Sequence, residues 1–177
     1  MTIYIDNHLM LESDLLRLLK KLYGHGKGWS VTGGFRSRKD RGFIYTSHNP
    51  VFLVAYDEGT PIGYAGLKVN GSYIASAGIH THKDYRKKGI ATQLIKKRND
   101  IFNLMNRPAL LEINTTTMPT KLWKNKFERT GWIDEPKYLD LNENTKNAIP
   151  RHIYEYHRQK YVNDLMIYPM STNLNNE

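Results

Sequence analysis

The stretch Ile79-His80-Thr81-His82-Lys83-Asp84-Tyr85-Arg86-Lys87-Lys88-Gly89-Ile90-Ala91-Thr92 holds the residues whose types and order point most directly to chemistry. A strand ends, a basic turn with one glycine follows, and an amphipathic helix opens within a few residues. The first turn of a helix leaves backbone N–H groups unpaired, and the helix dipole adds partial positive charge there. Gly89 lets a ligand come close to the main chain, Ala91 is too small to shield it, and Arg86, Lys87 and Lys88 strengthen the positive field. Such a turn suits a pyrophosphate. Without its context the same run is only a solvated basic helix start. The strand in front of it and the helix behind it favour the anion site.

Three titratable side chains are candidates for proton transfer. Glu112 stands in Leu110-Leu111-Glu112-Ile113-Asn114, where strand alternation sets it on the face of Leu110 and Asn114. Desolvation in an apolar strand raises a carboxylate's pKa and lets it serve as a base. The alternative for Glu112 is a pair with a surface lysine. His80 and His82 titrate near neutrality. His82 is expected in the turn and exposed to solvent. His80, at the strand end, either points into an acceptor cleft or is structural.

These groups sit in a chain of 177 residues with 40% hydrophobic and 24% charged residues, a globular composition. Residues 1–165 are expected to form one domain and residues 166–177 a flexible tail. The composition excludes a wholly disordered chain, a collagen-like chain and a coiled coil. No apolar run approaches the roughly 20 residues that span a bilayer, so no membrane partner is expected. Met1 to Leu11 has Asp6 and no basic start, which does not read as a secretory leader. The absence of cysteine rules out disulfides, thiolate metal sites and a cysteine nucleophile; no metal is expected, and the reading is a cytoplasmic protein. The net charge of +9 and the pI near 9.6 favour acidic partners.

The elements that must position the site follow from periodicity. Thr2 to Asp6 reads as a strand. Leu11, Leu15, Leu18, Leu19 and Leu22 recur at helical spacing up to Gly24. Gly24 to Asn49 is a long loop with six glycines and the basic cluster Arg36, Arg38, Lys39 and Arg41. Strands are expected over Val51 to Tyr56, Ile62 to Val69 and Ser72 to Thr81, the last two joined at Asn70-Gly71. A helix with Ala91, Leu94, Ile95, Ile101, Phe102 and Met105 inside follows, then a strand over Leu110 to Asn114. Pro119 to Thr130 reads as a helix stopped by Gly131, and Trp132 to Leu141 and Arg151 to Arg158 as closing strands. The expected class is α/β, a mixed and mostly antiparallel sheet flanked by helices.

Tyr85-Arg86-Lys87-Lys88-Gly89-Ile90-Ala91 resembles the Arg/Gln-x-x-Gly-x-Gly/Ala signature of GNAT-type N-acetyltransferases, and the order of elements from Thr2 to Arg158 is similar as well. The resemblance implies a single GNAT-like domain with acetyl-CoA as cosubstrate. Its pyrophosphate would meet the main-chain amides of Arg86, Lys87, Lys88, Gly89, Ile90, Ala91 and Thr92. Ile79, His80 and Thr81 would offer main-chain groups to the pantetheine and the acetyl carbonyl. A glutamate at the position of Glu112 is the base in some members, with His80 the other candidate here.

One position departs from the family. A tyrosine four residues before the helix-ending glycine commonly protonates the leaving thiolate, and here that residue is Phe127, followed by Gly131. The thiolate then leaves unaided, is protonated by water, or meets a tyrosine elsewhere, with Tyr154 and Tyr156 as candidates. The resemblance places the Gly24 to Asn49 segment at the acceptor entrance. Its basic run favours a carboxylate- or phosphate-bearing amine, an acidic protein surface, or nucleic acid. Phosphate contacts through Arg36, Arg38, Lys39 and Arg41, with Trp29 and Phe35 for stacking, support a second reading as a nucleic-acid-binding or CoA-binding module without efficient acetylation. The oligomeric expectation is a monomer or a homodimer.

Overall fold

A computed structural model describes residues 2–23, 50–114, 120–159 and 163–171. The glycine-rich segment with Arg36, Arg38, Lys39 and Arg41 therefore lies outside the described residues, as do residues 172–177. The chain groups into two compact units, Met1–Lys68 with Ala77–Arg98, and Val69–Ser76 with Asn99–Glu177. Sheet and helices are of the expected class: a mixed, mostly antiparallel sheet with helices beside it.

In the first unit β1 (Ile3–Ile5) and β2 (Met10–Leu11) both pair antiparallel with β3 (Val51–Asp57). β3 pairs antiparallel with β4 (Thr60–Asn70), which neighbours β5 (Tyr73–Thr81). Helix α1 (Glu12–Tyr23) begins with Glu12 and Asp14 and ends near Lys20 and Lys21, the charge order that a helix dipole favours. Leu15 and Leu19, four residues apart on one face, pack on Phe52, Val54 and Tyr64. Close packing also explains Gly66: a Cβ there would lie 2.5 Å from the Phe52 ring and 2.7 Å from Ala77 Cβ. Helix α2 (Ile90–Met105) buries Ile90, Leu94 and Ile95 in this unit.

The second unit contains the Asn70-Gly71 turn, with Gly71 at φ 66°, so the hairpin read from those two residues forms there. β6 (Ala109–Asn114) runs parallel to β5 through Ile74 and Ala75, and antiparallel to β8 (Asn163–Tyr168). The short β7 (Ile133–Asp134) pairs with β8 on its other side. Helices α3 (Thr120–Glu128), α4 (Glu143–Ala148) and α5 (Arg151–Arg158) complete this unit.

Four sequence expectations are corrected. Arg151 to Arg158 is helical, because Pro150 sets the first turn and Ile153, Tyr154 and His157 form its inner face. The strand expected over Trp132 to Leu141 shrinks to two residues, since Glu135 takes φ 44° and Pro136 has no N–H for a ladder. The Asn-rich connection holds α4, capped by Asn142 Oδ1 accepting from the Thr145 N–H at 2.8 Å. Finally, β8 runs through Tyr168, past residue 165 where the domain was expected to end, and Met166 and Ile167 are fully buried. Beyond it, the Met170 N–H donates to Thr145 Oγ1 at 2.9 Å. No helix among the described residues is long and apolar enough to cross a membrane.

Candidate functional site

The basic turn is braced by its own polar groups. His82 is buried: its N–H donates to the Ile62 carbonyl at 2.8 Å, and its Nδ1 accepts from the Asp84 N–H at 3.1 Å. The expected exposure of His82 is therefore corrected; it caps the single turn Lys83–Tyr85. Tyr85 donates its hydroxyl proton to Asp57 at 2.8 Å, and Arg86 Nε donates to the Thr81 carbonyl at 3.2 Å. Both ends of the turn are thus tied to neighbouring strands before a ligand is considered.

Two residues of the turn lie in left-handed backbone space, Lys87 at φ 62° and Gly89 at φ 78°. Glycine holds that conformation without strain, whereas lysine adopts it rarely. The Gly89 carbonyl accepts from the Gln93 N–H at 3.1 Å, so Gly89 is the cap and Ile90, Ala91 and Thr92 form the first turn of α2. Their N–H groups have no intrahelical acceptor, and no acidic side chain stands in that turn. A Cβ on Gly89 would meet nothing within 4 Å, so the main chain is approachable there. Alternating backbone conformations of this kind make concave anion sites. Arg86, Lys87, Lys88 and Gly89 are exposed, Ala91 and Thr92 half-buried, and Ile90 anchors the helix in the core.

Ile79, His80 and Thr81 end β5, half-buried, in the same unit as the turn. The Thr81 hydroxyl is buried and has no hydrogen-bond partner among the described residues. The His80 ring stacks on Tyr64, centroids 5.7 Å apart. Its pKa is pushed down to about 4, first by desolvation and then by the charges of Arg86 and His82. At neutral pH this ring is uncharged and a weak base.

A cleft of about 440 Å³ is lined by Asp84, Tyr85 and Lys88 of the turn together with Asp57 and Glu58. Three carboxylates line it. Their charge disfavours a phosphate there.

Glu112 belongs to the second unit, where it forms an ion pair with His157 through Oε1 and Nδ1. From sequence, the partner considered for Glu112 is a surface lysine and not a histidine. His157 went unnoticed in the sequence because Arg151 to Arg158 reads as a strand. Tyr156 is exposed, and its ring stands edge-on to His157 at 5.4 Å. Tyr154 is fully buried, and its hydroxyl has no hydrogen-bond partner among the described residues. Burial raises its pKa. Phe127 is a core residue, its ring 5.3 Å from Trp132 and 6.1 Å from Trp123.

The acetyltransferase (GNAT) family matches residues 14–106, just over half the chain and including the whole turn. No curated protein sequence matches. Among solved structures, the ribosomal-protein-S18-alanine N-acetyltransferase of Escherichia coli superposes with a TM-score of 0.58 at 15% identity, covering 99% of each chain. PaiA N-acetyltransferase of Thermoplasma acidophilum, solved with coenzyme A, gives 0.57 at 14% identity over 97% of this chain and 100% of that one. A spermidine N-acetyltransferase chimera with a Vibrio cholerae parent gives 0.57 at 16% identity over 99% of both. At such identities the structures show a shared fold, and bound coenzyme A in the Thermoplasma protein is consistent with acetyl-CoA as cosubstrate. With the family matched over the residues that build the turn, the chain belongs to the GNAT family of acetyltransferases.

Proposed function

We propose that the chain transfers the acetyl group of acetyl-CoA to a primary amine that carries a carboxylate or phosphate. The observation that carries the reading is the pair of left-handed residues, Lys87 and Gly89, immediately before the unshielded first turn of α2. Ile90, Ala91 and Thr92 then supply N–H donors to the pyrophosphate, while Arg86, Lys87 and Lys88 supply charge. The main chain of Ile79, His80 and Thr81 serves the pantetheine and the acetyl carbonyl.

Transfer requires the ammonium of the acceptor to lose a proton before nitrogen can attack the thioester. Glu112 is the carboxylate that draws this proton. His80 is less suited, because a pKa of about 4 leaves it little hold on a proton at pH 7. The net charge of +9 supports an anionic acceptor by steering it toward the protein.

The reading is tested by incubating the chain with acetyl-CoA and phosphoethanolamine, glutamate, an acidic peptide with a free N-terminus, or spermidine. Free thiol and acetylated product are measured together. The expected result is turnover with the anionic amines and much less with spermidine. Binding of CoA without thiol release from any amine would favour a CoA-binding module instead.

A further inference from the structure

Arg98 is a fully buried cation in the same unit as the basic turn. It follows Ile90 and Leu94 at steps of four along α2, so the three share one face at intervals of about 6 Å. Ile90 and Leu94 seat that face on β4: a Cβ on Gly63 would lie 3.4 Å from Ile90 Cγ2 and 3.1 Å from Leu94 Cδ1. One turn further along, the apolar stripe gives way to the guanidinium. Its Nη1 donates to the Gly66 carbonyl of β4 at 2.9 Å and to the Ala77 carbonyl of β5 at 3.2 Å. Burial pushes the Arg98 pKa down to about 10, so the group is still charged at neutral pH. Taking that charge out of water is costly, and a leucine here would continue the stripe without the cost.

The two bridged carbonyls stand where the β4–β5 hairpin changes register. Gly66 faces Ala77, because a Cβ on Gly66 would lie 2.7 Å from Ala77 Cβ. Two residues back on β4, Tyr64 would then face Ile79, yet the ring stacked on Tyr64 is that of His80. The His82 N–H donates to the Ile62 carbonyl, which continues the shifted register. β5 therefore holds one residue more than β4 between Ala77 and His80. That is a β-bulge, a device that bends a strand and takes main-chain groups out of the ladder. It begins at the carbonyl that Arg98 holds, and it runs into Ile79, His80 and Thr81.

We propose that Arg98 is a positioning residue for acetyl-CoA, which fixes the bulge of β5 and so aims the main chain of Ile79, His80 and Thr81 at the pantetheine and the acetyl group. This inference rests on the acetyltransferase reading and deepens it. α2 then serves the cosubstrate twice. Its first turn offers N–H donors to the pyrophosphate, and Arg98, about 12 Å further along the axis, holds the strand that takes the other half. The two roles are separable, because apolar packing of Ile90 and Leu94 on β4 seats the start of the helix.

The experiment titrates the intact chain and its Arg98 variants calorimetrically with two probes. One is acetyl-CoA; the other is the phosphoadenosine diphosphate half of CoA, which keeps the pyrophosphate and lacks the pantetheine. Arg98→Met fills a similar volume but offers the two carbonyls no donor. It should bind acetyl-CoA at least about tenfold more weakly than the parent, and the half-molecule within about threefold of it. Arg98→Lys keeps a charged donor with three protons and should stay within about threefold of the parent for both probes. Equal losses for the two probes in Arg98→Met would mean a general loosening of the unit and would overturn the proposal. So would full acetyl-CoA affinity in a folded Arg98→Met, or an Arg98→Lys that binds acetyl-CoA no better than Arg98→Met. If melting curves show Arg98→Met unfolded, Arg98→Gln takes its place. Were both unfolded, Arg98 would be a requirement of the whole unit rather than of the strand end, and the proposal would be overturned. A parent that binds acetyl-CoA but not the half-molecule would take the pyrophosphate away from the helix start and overturn it too. If the parent binds neither probe, the acetyl-CoA reading itself falls, and the inference with it.

Discussion

The His80 ring lies against the Tyr64 ring, their planes 29° apart and their centroids 5.7 Å apart, at the strand end that leads into the basic turn. Stacking and burial exclude water from an imidazole that also faces the positive charge of Arg86. Both effects disfavour the imidazolium.

The first prediction follows from that environment. A histidine whose pKa falls from 6.5 unfolded to about 4 folded binds fewer protons in the native state between those values. Its contribution to stability is complete above pH 6.5 and is lost as pH falls toward 4. The loss is of order 3 kcal/mol at most. An NMR titration should show the His80 ring unchanged down to about pH 5. Thermal unfolding of His80→Gln should fall less between pH 7 and pH 4.5 than that of the parent. A His80 midpoint near its ordinary value would contradict the environment described.

Phe127 carries the second prediction. The family's usual hydroxyl at this position would here enter a cluster of Trp123, Trp132 and Phe102, where Trp132 Nε1 already donates to Asn99 at 3.1 Å. Phe127→Tyr is expected to cost about 1–3 kcal/mol of stability, seen as a lower melting temperature. Its single-turnover rate of acetyl transfer should stay unchanged. A tenfold faster single turnover would show instead that the ring edge reaches the departing sulfur and that a missing acid limits the rate.

Much of the fold was legible because its signals are local. Asn70-Gly71 demands left-handed backbone and so announces a hairpin, and Leu15 with Leu19 shows a helix face within two turns. The basic turn was legible for the same reason, since Gly89, the charges and the helix start fall within seven residues. The last third of the chain was harder to read. Tyr154 and Tyr156 flank Glu155 in an alternation that suits a strand, whereas the face that is buried contains Ile153, Tyr154 and His157. β8 is a short apolar run, Leu165 to Ile167, whose strand character comes from the ladders it makes with β6 and β7. The Glu112–His157 pair has no spacing signature at all. It depends on two elements meeting across 45 residues, and periodicity within a segment does not reveal such a meeting.

The most direct test of the account is a calorimetric titration of the intact chain and of Gly89→Val with acetyl-CoA. Valine at φ 78° is strained, and its branched Cβ fills the open approach to the N–H groups of Ile90, Ala91 and Thr92. The parent should bind acetyl-CoA, and Gly89→Val should bind it at least about tenfold more weakly, a loss of about 1.4 kcal/mol or more. Melting curves recorded alongside would show that the variant is folded. Equal affinity in a folded Gly89→Val, or no binding by the parent, would contradict the assignment of this turn as the acetyl-CoA site.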